Sequence, residues 1–166
     1  MPIARAKRRS PADAGFTLLE LIVSCTILTL LATMAIPIAR YTAQREREAQ
    51  LRYDLRYIRE AIDRYKDLAD HGQIRVDATT GGYPPDLQTL VKGVPLTSTA
   101  GLGNSGGKTI RFMRSIPVDP MTGKAEWGLR STEDDADSTS WGGQNIFDVY
   151  SQSQGTAING TKYSEW

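Results

Sequence analysis

Gly15-Phe16-Thr17-Leu18-Leu19-Glu20, followed by the apolar run 21–39, is the stretch that decides the fold of this chain. A basic leader with Arg5, Lys7, Arg8 and Arg9 comes before it. From 16 to 39, Glu20 is the only ionisable group apart from the thiol of Cys25. A carboxylate inside a membrane helix costs about 2.5–3.5 kcal/mol at the centre and less near an end. Glu20 therefore either sits at headgroup level or has a cation at its own depth. Cleavage after Gly15 would supply one by freeing the α-amino group of Phe16.

The run 21–39 has the length to span a bilayer, for which about 20 residues suffice. Its few polar side chains, Ser24, Thr26, Thr29 and Thr33, can bond back to the helix backbone. Pro37 removes one helical hydrogen bond and is expected to kink or locally melt the helix. The alternative is a secretory signal peptide, cut at a small-residue site within 32–39. Against it, the run is longer than an ordinary signal core and Glu20 interrupts its start.

Basic leader, Gly15-Phe16 site, Glu20, apolar run and Pro37 stand in the order found in type IV pilin-like proteins, the prepilins and pseudopilins, which the chain resembles. The resemblance implies cleavage by prepilin peptidase between Gly15 and Phe16, then N-methylation of Phe16. It also implies that Glu20 pairs with the Phe16 amine of a neighbouring subunit as apolar helices form a fibre core. Breaking such a pair in low dielectric leaves an uncompensated charge, so it would set register as well as energy.

Three later blocks, Tyr83-Pro84-Pro85-Asp86-Leu87-Gln88-Thr89-Leu90-Val91, Ile116-Pro117-Val118-Asp119-Pro120-Met121-Thr122-Gly123 and Ile146-Phe147-Asp148-Val149-Tyr150-Ser151, resemble the major pseudopilin of type II secretion. The similarity runs over nearly the whole chain. That subfamily carries a calcium site with Asp ligands in the loop after the last strand. Here the loop 151–161 holds no carboxylate. No cofactor is expected; calcium at the family position is in doubt.

The length, 166 residues, allows one modest domain plus a long helix. Removing the leader's four basic residues and Asp13 takes the net charge from +1 to −2, which points to no nucleic-acid partner. The single cysteine, Cys25, excludes an intrachain disulfide and reads as a small packing residue. The basic leader favours a cytoplasmic N-terminus and a periplasmic bulk. Arg40, Arg45 and Arg47 run against that rule, with Glu46 and Glu48 interleaved.

Residues 40–69 read as helix. Leu51, Leu55, Ile58, Ile62, Tyr65 and Ala69 recur at spacings of three and four. Glu48 with Arg52, and Glu60 with Arg64, stand at i,i+4 on what reads as a solvated charged face. The mixed charges over 40–52 are also candidates for pairing between subunits. Gly72 is placed to follow the helix end, and His71, the only histidine, reads as a helix-end residue.

Pro84 and Pro85 lead into a short helix over 87–91. The segment Gly101-Leu102-Gly103-Asn104-Ser105-Gly106 fits G-x-G-x-x-G, but no strand pattern precedes it and no helix follows it, so it reads as a surface loop. Residues 119–123 read as a turn. Residues 126–131 and 145–151 read as strands, the second alternating Phe147 and Val149 against Ile146, Asp148 and Tyr150. Between them Glu133-Asp134-Asp135-Ala136-Asp137-Ser138 reads as a solvated acidic turn, with a displaced calcium site as the minority alternative.

The expected fold is α+β and pilin-like: a long N-terminal helix, half membrane-spanning and half amphipathic, packed on a small antiparallel β-sheet. The expected organisation is a cleaved leader over 1–15, a transmembrane and fibre-core helix over 16–39, and a periplasmic globular domain over 40–166. The leading function is a non-enzymatic fibre subunit for protein export, in the inner membrane as a single-pass protein. Gly15, Phe16 and Glu20 are its functional residues. The implied partners are further copies, prepilin peptidase, minor pseudopilins and an inner-membrane secretion platform driven by a cytoplasmic ATPase. A type IV pilin or minor pilin of a surface fibre is the alternative. A membrane-anchored enzyme finds no support, because no nucleophile or metal motif is present.

Overall fold

The computed structural model describes residues 17–97 and 108–166 and, within them, every side chain except those of 34–38. Gly15, Phe16 and the glycine-rich segment 101–107 lie outside the described residues. The chain divides into two compact units, Met1–Thr42 and Ala43–Trp166.

Helix α1 is Leu18–Asp70, 53 residues long. It runs unbroken across position 37, so the missing proline N–H does not melt it. Its second half contains no glycine or proline, and its end is the one expected. Gly72 takes φ 67°. Gly72 N donates to Ala69 O at 2.9 Å and Gln73 N to Leu68 O at 2.9 Å, which together form a Schellman motif. His71 sits at this end, its Nδ1 2.7 Å from Asp67 O.

The apolar stripe of α1 fills the core of the second unit. Leu51, Leu55, Ile58, Ala61, Ile62 and Tyr65 are buried. They pack with Leu87 and Leu90 of α2 (Leu87–Lys92), and with Phe112, Trp127, Ile146, Val149 and Tyr163. Each such side chain contributes about 1.5–3 kcal/mol by leaving water. Tyr65 and Phe112 meet at 5.3 Å between ring centroids. Helix α2 is capped by Asp86, whose Oδ1 accepts from Thr89 N at 2.6 Å.

The architecture is α+β, consistent with a pilin-like fold. In place of one sheet there are two antiparallel pairs. Strands β1 (Val94–Pro95) and β2 (Thr109–Ile110) form one, and β3 (Gly128–Arg130) and β4 (Asp148–Tyr150) form the other. In the second pair Gly128 faces Tyr150 and Arg130 faces Asp148. A Cβ on Gly128 would overlap the Tyr150 ring, so the aromatic covers the glycine. The expected alternation through β4 is corrected. Val149 and Tyr150 are both buried, whereas Phe147 lies before the strand and is exposed. The guanidinium of Arg130, 4.2 Å above the Tyr150 ring, covers the face that alternation would have left open.

The expected helix-surface ion pairs are also corrected. Glu48 is buried and serves the C-terminal loop, while Arg52 lies over Trp166. Arg64 donates to the Glu60 carbonyl and to Phe112 O. Among the described residues Lys66 pairs with Asp70 at i,i+4, and the His71 ring lies 3.3 Å from the Asp67 carboxylate. A helix-surface pair contributes only about 0.2–0.5 kcal/mol, so the Trp166 ring for Arg52 and backbone carbonyls for Arg64 compete with it.

Candidate functional site

The start of α1 is built from Thr17 and Glu20. Thr17 precedes the first helical residue, and its Oγ1 accepts from Glu20 N at 3.2 Å. Its carbonyl accepts from Leu21 N at 3.1 Å. Thr17 is thus the N-cap, and Glu20 is the third residue of the helix. A carboxylate in the first turn also faces the positive end of the helix dipole. Glu20 is exposed, open to a partner. Sequence reasoning missed the capping role of Thr17, although Thr-x-x-Glu before an apolar run is its signature.

Over the described positions 21–33 the helix is apolar around most of its circumference and exposed. Leu21, Ile27, Leu28, Leu30 and Leu31 are each more than half exposed. The expected back-bonding of the threonines is present. Thr26 donates to Val23 O, Thr29 to Cys25 O and Thr33 to Leu30 O, each at 2.7 Å. No polar donor of these three is left facing an apolar neighbour. Cys25 is an exposed free thiol on this helix. Among the described residues, no helix is long and apolar enough to cross a membrane. Within the apolar run, the side chains of 34–38 lie outside the described ones.

In the second unit, three carboxylates do work that the sequence reading missed. Glu48 Oε1 accepts from Gln44 Nε2 at 3.2 Å, Ile158 N at 2.9 Å and Tyr163 Oη at 3.0 Å. This pins the loop 151–161 to α1. Burial, reinforced by the Glu48 carboxylate, holds the Tyr163 phenol above its ordinary range, with the hydrogen bond from Gln44 acting the other way. The loop is closed by its own backbone, Ala157 N donating to Thr161 O at 2.8 Å. It has no carboxylate of its own; Glu48 Oε1 is engaged by three donors, and Asp119, which bonds Ser151 at the start of the loop, is fully buried. The residues present do not fit the calcium site that the resemblance implies.

Asp119 is fully buried. Its Oδ1 accepts from Met121 N at 2.7 Å, forming the expected turn, and its Oδ2 accepts from Ser151 Oγ at 2.6 Å. Asp54, also buried, accepts from Gln50 Nε2 at 2.9 Å. Burial pushes its carboxyl above the usual range; the Gln50 hydrogen bond opposes this and the charge of Asp119 adds to it. Glu48 lies three residues before Leu51, and Asp54 lies four before Ile58. Helical spacing alone puts both on or beside the buried stripe, and that was the available signal.

In the acidic turn, Asp134 Oδ2 accepts from Ser131 N at 2.7 Å and Gly142 N at 3.1 Å. These backbone donors hold its carboxyl below the ordinary range. Among the described residues, no group of three or more His, Cys, Asp or Glu is placed to hold a metal.

The family model described as the prokaryotic N-terminal methylation motif matches residues 11–36. The match takes in Gly15, Phe16 and Glu20. The motif is found in type IV pilin-like proteins and implies processing by prepilin peptidase, assembly into a fibre and an N-terminal anchor in the inner membrane. No curated protein and no solved structure matches the chain significantly.

Proposed function

We propose that this chain is the repeating structural subunit of a pseudopilus, a short periplasmic fibre that drives protein export by type II secretion. Prepilin peptidase cuts after Gly15, and the Phe16 amine is methylated. The observation that carries this reading is the methylation motif over 11–36, with Glu20 exposed in the first turn of an uncovered apolar helix. Such a helix needs a non-aqueous surrounding. Before assembly the inner membrane supplies it as 21–39 spans the bilayer once, and in the fibre the neighbouring helices do. Glu20 pairs with the Phe16 amine of the next subunit, and the pair fixes the axial step between copies. The globular unit stands in the periplasm and performs no chemistry.

A type IV pilin or minor pilin would share this processing. Surface pilins often close a C-terminal loop with a disulfide. The lone Cys25 excludes that here and favours the pseudopilin. The test is intact-mass and N-terminal peptide mass spectrometry on the full chain purified from membranes that contain the peptidase. The expected product begins at methylated Phe16. A chain that keeps residues 1–15, or one that begins near position 39, would sink the proposal.

A further inference from the structure

Arg52, Arg56 and Arg59 stand at i, i+4 and i+7 on α1 and share one face. With Leu55 and Trp166 they line a shallow groove of about 290 Å³. Arg59 is engaged. It donates to Asp148 Oδ1 at 2.6 Å, Val149 O at 3.0 Å and Trp166 O at 2.9 Å. Asp148 is shared with Arg130 at 3.7 Å, so one carboxylate faces two guanidinium groups. Arg52 is exposed and lies 4.2 Å above the Trp166 ring, which orients its plane. Arg56 is exposed and has no ion pair among the described residues. Arg56 also lines a second shallow groove with Tyr53, Tyr57 and Glu60; the tyrosine rings stack at 6.5 Å, and Glu60, four residues on, makes no ion pair with Arg56. Arginine flanked by tryptophan and tyrosine is the composition of a protein-interface anchor.

The same unit carries a charge complement. Glu133, Asp135 and Asp137 are exposed, while Asp134 is turned inward onto Ser131 N and Gly142 N and holds the turn in shape. Asp135 and Asp137 have no ion-pair partner among the described residues. Arg130 joins the two regions. Its Nε donates to Ser138 O at the base of the turn, and it shares Asp148 with Arg59. Groove and turn are thus linked through Arg130 and Asp148, yet among the described residues no groove arginine reaches a carboxylate of the turn within the chain.

We propose that the groove is an assembly surface whose occupant is the acidic turn of a second copy, with Arg52 and Arg56 facing Asp135 and Asp137. This rests on the fibre reading and adds to it a contact outside the apolar helices. Opposite charges set on preformed elements select register and suppress mispairing.

The test uses the full chain produced with its assembly machinery, with sheared fibres quantified. Arg56→Glu alone and Asp135→Arg alone are each expected to lower fibre yield about tenfold, by placing like charges together. The double variant is expected to return to within about twofold of the parent. Both positions are exposed, so unchanged melting temperatures separate assembly from folding. As a second readout, Arg56→Cys with Asp135→Cys, in a Cys25→Ser background, is expected to give a disulfide-linked ladder in intact fibres.

Normal assembly of both single variants, a double variant that folds without rescue, or intact fibres with no ladder would each overturn the docking surface. So would loss of binding to anionic vesicles in Arg56→Glu without rescue by Asp135→Arg, which would assign the groove to lipid headgroups. In those cases fibres of the parent with methylated Phe16 leave the fibre reading standing. A parent that is neither methylated nor assembled overturns both.

Discussion

The two units of this chain use the same residue types in opposite ways. Over the described positions 18–33, leucine and isoleucine ring the helix and stay exposed, as with Leu28 at 64% and Leu30 at 65%. After it they form one stripe, and Leu51, Ile58 and Ile62 are wholly buried by loops, α2 and strands of the same chain. The second unit completes its own core, whereas the described apolar side chains of the first stay exposed. The polar groups follow suit. The threonines of the first unit bond to their own helix within four residues. Two carboxylates of the second reach partners more than 80 residues away, Asp148 to Arg59 over 89 residues and Glu48 to Ile158 over 110.

The sharpest way to break this comparison is to truncate one apolar residue in each unit. Ile58→Ala is expected to destabilise the full chain by about 2–5 kcal/mol, through lost transfer energy and the cavity left behind. Denaturant unfolding followed by tryptophan fluorescence reads this. Leu28→Ala is expected to leave that transition unchanged and to lower fibre yield instead. Equal destabilisation by both would show that the first unit also packs within its own chain.

A smaller effect sharpens the role of Glu48. Glu48→Ala removes the common acceptor of Gln44, Ile158 and Tyr163 and is expected to cost about 1–3 kcal/mol. Amide hydrogen exchange would then rise selectively over the loop 151–161. Exchange that rises uniformly would make Glu48 an ordinary core residue. Added calcium should not restore protection, because the loop has no carboxylate to bind it.

The smallest effect has a sign fixed by burial. The Asp54 carboxyl is raised above its ordinary value of 3.8, so the folded state holds its proton more tightly than the unfolded state does. The stability this contributes is fully present below 3.8 and is lost as pH rises through the folded value. Asp54→Asn keeps an acceptor for Gln50 and carries no charge near Asp119. Its melting temperature relative to the parent is therefore expected to climb as pH rises from below 3.8 to 7. A constant difference would place Asp54 in a more solvated setting than its burial implies.

Much of the architecture was legible in local patterns. The spacing of Leu51, Leu55, Ile58 and Ile62 located the buried face, and Gly72 located the helix end, because both depend on neighbours within one or two turns. The strand pair was found from composition, yet its alternation was misread at Phe147 and Tyr150. Two residues from elsewhere decide that point: Tyr83 meets Phe147 edge-on at 5.4 Å, and Arg130 covers Tyr150. At the helix start, the exposed Glu20 and its apolar surroundings were readable, while the cap at Thr17 was overlooked although its signal lies within four residues.

The sequence by itself determined the methylation motif over 11–36, the apolar run 21–39 and the amphipathic period of α1. Those are properties of contiguous residues, and neither a terminal motif nor a helical period needs a distant partner. Only the tertiary structure decided that Glu48, Asp54 and Asp119 are buried, and that Arg59 and Arg130 share Asp148 while Arg56 stays exposed. A charged side chain leaves water only where the fold brings enough donors or opposite charge to it. For Glu48 those donors come from Ile158 and Tyr163, 110 and 115 residues along the chain.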